Sequence, residues 1–402
     1  MKKHSIDDLR QMQSLPLEAK VTMTELRIRD WVEHFGEEGV YVSFSGGKDS
    51  TVLLTIARKL YPNIKACFID TGLEFPEIRK FVQTFDNVDV VRPKKSFKQV
   101  CKEYGFPLIS KDVSEKAYYA RKYFLWYLQH NNIGHIDKQT DIPSAFGLAD
   151  MLGVLDRRDE RYLKMKNGII TEELLDSIFG IDSDAPFKAK ALMGTVRHKE
   201  NGVETNEASN RFDFSRYKYM IHAPFFISSH CCNVMKKAPI KKYAKQTGRM
   251  PITAQTADES RLRLQVWLKQ GCNAFDAKKP ISNPMSFWKE QDVLQYIYEN
   301  DIPIAPVYGD VVVDYESMGQ IDGQEMLSLC KPKLKTTGAK RTGCMLCGYG
   351  AHIRHDDRFI RLKQTHPKVC KAFDVIENSG VTYREAIDWI NENNGKGELI
   401  KY

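Results

Sequence analysis

No stretch of this chain is apolar for long enough to cross a bilayer, which takes about 20 consecutive apolar residues. The N-terminal Met-Lys-Lys-His-Ser-Ile-Asp-Asp also lacks the apolar core of a secretion signal. A cytoplasmic location with no membrane partner is the expectation. Long low-complexity runs are missing too, and 42% hydrophobic with 28% charged residues is ordinary for a soluble protein. Acidic residues are outnumbered, 52 against 60 Lys and Arg, for a formal charge of +8. That balance favours polyanionic partners, and it also suits an ordinary, slightly basic enzyme. At 402 residues the chain has room for more than one domain, or for one domain with large insertions. Its nine cysteines, in a reducing compartment, do not make a disulfide framework. An adjacent pair and a Cys-x-x-Cys point instead to metal or redox work.

The chain is organised around residues 41–51, Tyr-Val-Ser-Phe-Ser-Gly-Gly-Lys-Asp-Ser-Thr. Val42 and Phe44 have the spacing of a buried strand, and Val52, Leu53, Leu54, Ile56 and Leu60 form the apolar stripe of a following helix. Between them lie Ser45, Gly46, Gly47, Lys48, Asp49, Ser50 and Thr51. Two glycines allow a tight turn that brings backbone N–H groups against an anion, and the helix N-terminus adds orphan donors. Lys48, Ser50 and Thr51 add side-chain donors, so the segment reads as a phosphate site. It lacks the four-residue spacing of the common nucleotide loop. A plain glycine turn between strand and helix is the bland reading.

Residues 17–35 have helical spacing and end at Gly36. Strands follow at 65–70 and 88–92 and a helix at 96–104, an alternation that predicts an α/β fold with a mostly parallel sheet and helices on both faces. Asp70, Thr71 and Gly72 then fall at the carboxyl end of a strand beside the loop, at the nucleoside end of a ligand. Asp70 has two readings there, acceptor from a ribose hydroxyl or adenine amine, and cap of its own turn. The expected organisation is an N-terminal helical segment (1–37), a nucleotide-binding half (38–110), a mainly helical insertion (111–218), the second half of the α/β core (219–300) and a Cys-x-x-Cys region (301–402). Within the insertion, Tyr118, Tyr119, Arg121, Lys122, Tyr123, Phe124, Trp126 and Tyr127 mix cations with flat rings. Such a helix either stacks on unpaired bases or forms core and interface. The polar stretch 197–210 reads as a mobile loop, and the sheet is expected to resume at 219–227 and again at 250–256. Beyond that last strand, Arg263 is placed to bind a phosphate or sulfate-like group bidentately.

Cys344 and Cys347 lie on a glycine-flanked turn and, with Cys231 and Cys232, make four thiols. By count they hold zinc or a [4Fe–4S] cluster equally well, and the adjacent pair favours the cluster. Cys330 and Cys370 are alternatives for one member of the pair. Cys67, Cys101 and Cys272 read as inert core residues.

Taken together, the Ser-Gly-Gly-Lys-Asp-Ser loop, Ile69-Asp-Thr-Gly-Leu-Glu-Phe-Pro-Glu77, Cys231-Cys232, Glu259-Ser260 with Arg263, and Cys344-x-x-Cys347 resemble the PAPS/APS reductase superfamily of PP-loop ATP pyrophosphatases. Within it they look like the DndC and SspD type of DNA phosphorothioate modification. The resemblance implies an adenine nucleotide alpha hydrolase-like fold with an iron–sulfur C-terminal region. It implies ATP with Mg²⁺ on the loop, Lys48, Asp49 and Ser50 as catalytic residues, and pyrophosphate as leaving group. It also implies adenylation of an acceptor for sulfur transfer, a sulfur donor such as a cysteine desulfurase, nucleic acid (DNA or tRNA) as acceptor, and a homodimer. Two departures bear on the reductase reading. The Glu-Cys-Gly-Leu-His nucleophile motif is not seen before Tyr402, and Thr256 stands where those enzymes tend to carry arginine. Reduction of PAPS or APS, tRNA thiolation and nucleotide sensing in a larger assembly remain alternatives.

Overall fold

The computed structural model of the chain describes residues 4–130, 172–200, 203–315, 333–353, 356–397 and 399–402. The turns expected at 131–143, the helical pieces up to 171 and Cys330 lie outside the described residues. The chain divides into two compact units, Met1–Pro93 with Lys237–Met345, and Lys94–Lys236 with Leu346–Tyr402. The 301–402 stretch is therefore shared between them.

The first unit is built on a six-stranded sheet in the order Val88–Val91, Ala66–Ile69, Val40–Ser43, Met250–Ile252, Ile281–Ser282, Asn273–Ala274. Every pairing is parallel except the last. Period-2 alternation sends Val40, Val42 and Phe44 into one core, shared with Ile28 and Trp31 of the helix Leu17–Phe35 and Val52–Leu54 of the helix Lys48–Leu60. Tyr41 and Cys67 point the other way, onto Tyr243 of the helix Ala238–Thr247. Helices thus cover both faces. Trp31 and Ile28 are fully buried, each stabilising the fold by about 1.5–3 kcal/mol relative to exposure. Cys67 is 1% exposed and burial pushes its thiol up to about 12, so it is the inert core residue its strand position implied.

The second unit contains the helices Phe97–Tyr104 and Lys111–His130, a short parallel pairing of Leu108–Ile109 with Gly348–Tyr349, and the hairpin Glu377–Asn378 with Val381–Thr382. A buried asparagine ties it together. Asn378 Oδ1 accepts from Phe226 N at 2.8 Å, and its Nδ2 donates to Cys101 O at 3.0 Å and Lys102 O at 3.1 Å.

Two expectations are corrected here, and one of two open readings is narrowed. Residues 197–210 are not a loop but the antiparallel pair Arg197–Glu200 and Val203–Ala208, helped by Lys199 and Glu204 across the ladder at 3.1 Å. The sheet does not resume at 219–227; a 3₁₀ helix spans Ser215–His222, Pro224 removes a ladder donor, and Ile227 makes one isolated bridge to Phe106. Arg121 does not face outward on its helix. It is 1% exposed, stacks over the Phe226 ring at 4.1 Å and donates to the Phe225 carbonyl, so it cannot reach a nucleic-acid phosphate. Phe124 and Leu125 are buried beside it, and Tyr119 and Trp126 are exposed. Among the described residues no helix is long and apolar enough to cross a membrane.

Candidate active site at the phosphate loop

The loop joins the strand Val40–Ser43 to the helix Lys48–Leu60, with Gly47 as its N-cap. Gly46 has φ +69°, and a β-carbon there would stand 2.8 Å from both Ile78 and Val82 of the helix Pro76–Val82, so backbone and space both demand glycine. Gly47 has ordinary backbone, and a β-carbon on it would meet Ser45 Oγ at 3.2 Å and Tyr308 Oη at 3.3 Å.

The loop's donors are covered by hydroxyls. Ser45 N donates to Ser50 Oγ at 3.2 Å, Gly47 N to Ser45 Oγ at 3.3 Å and Lys48 N to Tyr308 Oη at 3.3 Å. Hydrogen bonds of that length are at the weak end of the range. Ser50 and Thr51 both donate to Gly47 O, at 2.9 and 3.0 Å, and so fasten the turn to the first helical turn. An anion entering here would meet a helix N-terminus whose N–H groups need only exchange a hydroxyl oxygen for a stronger acceptor.

Lys48 is 4% exposed, and its Nζ lies 3.3 Å from Asp49 Oδ2 and 3.3 Å from Glu290 Oε1. Burial works against its charge, but Asp49, Glu290 and Tyr308 outweigh it, so the ammonium is held charged above the usual lysine range. Arg263 pairs with Glu259 and lines a cavity of about 110 Å³ with Thr256 and Asn283. Its pKa is lowered, first by burial and then by the neighbouring Arg341, and Asp49 opposes the shift. Lys48, Arg263 and Arg341 thus gather positive charge around Asp49.

At the end of the adjacent strand Asp70 is 6% exposed and fully occupied. Its Oδ1 takes Gly72 N at 3.1 Å, and Arg79 and Arg92 reach Oδ2 at 3.2 and 3.0 Å. The turn-capping reading is what the structure shows, with two arginines added. Thr71 is bound through N and Oγ1 to the Glu74 carboxylate at 2.8–2.9 Å, and Gly72 has φ +77°.

The sequence reading missed Tyr308, Thr342, Glu290, Glu74, Arg79, Arg92 and Arg341. The spacing Thr71-x-x-Glu74 carried a local signal, as did Arg341-Thr342 ahead of Cys344. Tyr308 and Glu290 carried none. Thr342 Oγ1 is 2.6 Å from Tyr308 Oη, and Met345 N donates to Leu73 O at 2.8 Å. Cys344, between these two anchors, is held against both the loop and the 70–74 turn.

The four thiols nominated for a metal divide between the units, Cys344 in the first and Cys231, Cys232 and Cys347 in the second. Among the described residues no group of three or more His, Cys, Asp or Glu side chains is arranged to hold a metal ion. In the second unit, burial and then Cys232, Cys231, Cys347 and Cys101 push the Tyr349 phenol far up, so those thiols share its surroundings. Cys101 is fully buried and its thiol is raised by burial and by Cys231. Cys272 is raised by burial as well.

Two uncharacterized proteins of Methanocaldococcus jannaschii, MJ0973 and MJ0066, are 39% and 44% identical over 72 and 73 residues, 17% of this chain in each case. The matches span only 18% and 15% of those relatives. A crystal structure of phosphoadenylyl-sulfate (PAPS) reductase from Candida auris, a phosphate complex, aligns over 78% of this chain and 97% of its own at 12% identity and a TM-score of 0.32. The family model described as phosphoadenosine phosphosulfate reductase domain matches residues 39–122 and 189–347, more than half of the chain. Those segments carry the loop, the 70–74 turn, Arg263 and the Arg341–Cys344 run, and the chain belongs to the phosphoadenosine phosphosulfate reductase family, enzymes that use nucleotides in sulfur chemistry.

Proposed function

We propose that the chain is an ATP pyrophosphatase that adenylates an acceptor for sulfur transfer. The observation that carries this reading is the docking of a thiol-bearing turn on the phosphate loop through Thr342 and Tyr308, and on the neighbouring 70–74 turn through Met345. ATP sits with its β,γ-phosphates on the loop. An acceptor oxygen attacks the α-phosphorus, the bond to the β-phosphate oxygen breaks, and pyrophosphate leaves with the electron pair toward Lys48 and the loop N–H groups. A backbone phosphate oxygen attacks as the anion, so no proton has to leave it. A hydrosulfide-type nucleophile then attacks the activated centre, a bond to sulfur forms, the bond to the AMP oxygen breaks, and AMP departs. Mg²⁺ bound with the nucleotide would neutralise phosphate charge, and Asp49 and Glu290, the carboxylates beside Lys48, would be the residues to hold it. Arg263 and Arg341 supply further positive charge to the leaving group. Nucleic acid, as in DNA phosphorothioation of the DndC and SspD type, is the acceptor class we favour.

The family description itself favours a second reading, reduction of PAPS with a thiol attacking its sulfate. Cys370 is a poor candidate for that thiol, because burial raises it despite Arg384 and Lys363 nearby. A pyrophosphate assay with ATP and candidate acceptors, run beside sulfite release from PAPS with thioredoxin, decides between the two. Pyrophosphate without sulfite supports the first, and sulfite alone overturns it. Iron and zinc analysis of anaerobically prepared protein decides whether Cys231, Cys232, Cys344 and Cys347 carry [4Fe–4S], zinc or no metal. None of the steps above runs through a metal held there.

A further inference from the structure

The second unit contains a cavity of about 200 Å³ that the phosphate-loop chemistry does not use. It is walled by Arg216 and Tyr219 from the 3₁₀ helix Ser215–His222, by His352, and by Asn394 and Lys396 from the C-terminal segment. Two of these are cations, and among the described residues no lining side chain is a carboxylate. Asp356, the acid whose charge acts on His352, is consumed by Arg358, whose Nε lies 2.8 and 3.0 Å from its two oxygens and whose Nη2 lies 2.6 Å from one of them. Arg216 is exposed at the rim of the cavity, and its guanidinium lies over the Tyr217 ring at 4.7 Å.

Two buried polar atoms, Tyr219 Oη and His352 Nδ1, have no hydrogen-bond partner among the described residues. Leaving such groups unpaired costs about 1–3 kcal/mol each. The C-terminal wall is rigidly built. Asn391 Oδ1 takes Leu399 N at 2.9 Å and Ile400 N at 2.8 Å, and Asn394 Oδ1 takes Lys396 N at 2.8 Å. His352 is depressed by burial first and by Arg216 and Arg358 among its neighbours, as expected in a cationic pocket that lacks its counter-charge.

We infer that this cavity is a binding site for a small tetrahedral oxyanion, phosphate or sulfate, free or as a monoester, held by Arg216, Lys396 and Tyr219. Guanidinium, ammonium and phenol all donate, and an oxyanion accepts from all three with charge-assisted hydrogen bonds. The space exceeds that of a single water molecule, and water brings no compensating charge. His352, Asn394 and Lys396 lie beyond the segments matched by the family model, so the site is not part of the shared nucleotide site.

The test uses the full chain carrying Lys48→Ala, so that the loop no longer competes, titrated calorimetrically with inorganic phosphate and with sulfate against chloride of equal ionic strength. About one site per chain is expected, weakened tenfold or more by Arg216→Ala. Tyr219→Phe removes one hydroxyl, and it should weaken binding severalfold with an unchanged melting temperature. Absence of saturable binding in the Lys48→Ala chain would overturn the site. So would affinity indifferent to both Arg216→Ala and Tyr219→Phe. Arg216-dependent binding of an oligonucleotide without binding of free phosphate would overturn the small-ion assignment in favour of a polymer groove.

Discussion

The phosphate loop of the first unit and the Asn378 junction of the second solve opposite problems. In the loop, backbone N–H groups are covered by hydroxyls at 3.2–3.3 Å, partners that an incoming anion can displace. At the junction, one buried amide makes three hydrogen bonds of 2.8–3.1 Å, to the Phe226 N–H and to the Cys101 and Lys102 carbonyls. A site built to exchange ligands tolerates long bonds. A site built to hold segments together does not.

The largest effect that sharpens this contrast is expected from Lys48→Ala. It should lower pyrophosphate release about 10²-fold or more, because it removes a positive charge from the developing leaving group. Thermal unfolding should change little, and turnover equal to wild type would remove the loop from the mechanism. Gly46→Ala comes next, with a stability loss of about 2–4 kcal/mol from positive φ and overpacking against Ile78 and Val82. Gly47→Ala should fold normally, and equal denaturant midpoints for the two variants would show that the wedge is not as tight as described.

In the second unit, Asn378→Ala should cost about 1–3 kcal/mol by removing the acceptor of the buried Phe226 N–H and a donor to the Cys101 and Lys102 carbonyls. Urea unfolding measures it, and a loss no larger than that of an exposed Asn→Ala control would erase the contrast with the loop. The smallest effect concerns Asp374, whose carboxyl is held below its ordinary value chiefly by the hydrogen bond from Arg384. A depressed carboxylate stabilises above its unfolded pKa and loses that contribution as pH falls through the folded value. Asp374→Asn should therefore lower stability at pH 7, by at most about 1 kcal/mol for so exposed a pair, and make no difference near pH 2. A gap between the two proteins that persisted in acid would assign the effect to packing rather than charge.

The first unit was largely legible because its signals are local. Alternation at Val40, Val42 and Phe44, the glycine pair and the helical stripe all lie within some twenty residues. Its site was legible only where the same held. Lys48 and Ser50 could be named, but Tyr308 reaches Lys48 N from 260 residues away and Glu290 meets Nζ from a separate helix. Asp70 illustrates the same limit, since Gly72 N was visible in the turn but Arg79 and Arg92 were not. In the second unit, the choice between base stacking and core for the helix of Arg121 stayed open in the sequence, because a basic residue on a helix is usually exposed. Its burial depends on a ring and a carbonyl supplied from Phe226 and Phe225. The polar 197–208 hairpin lacked the apolar alternation by which strands are recognised.

The pairing of Val40–Ser43 with Met250–Ile252 also has a consequence for synthesis on the ribosome. The central strand emerges early but waits for its neighbour until residues 94–236, most of the second unit, have been made. Tyr308 and Thr342 arrive later still, so the loop gains its hydroxyl cover only after the neighbouring strand has been made. Until then the nascent first unit exposes a strand edge of Val40, Tyr41 and Val42, the kind of surface that recruits chaperones or pairs with other chains.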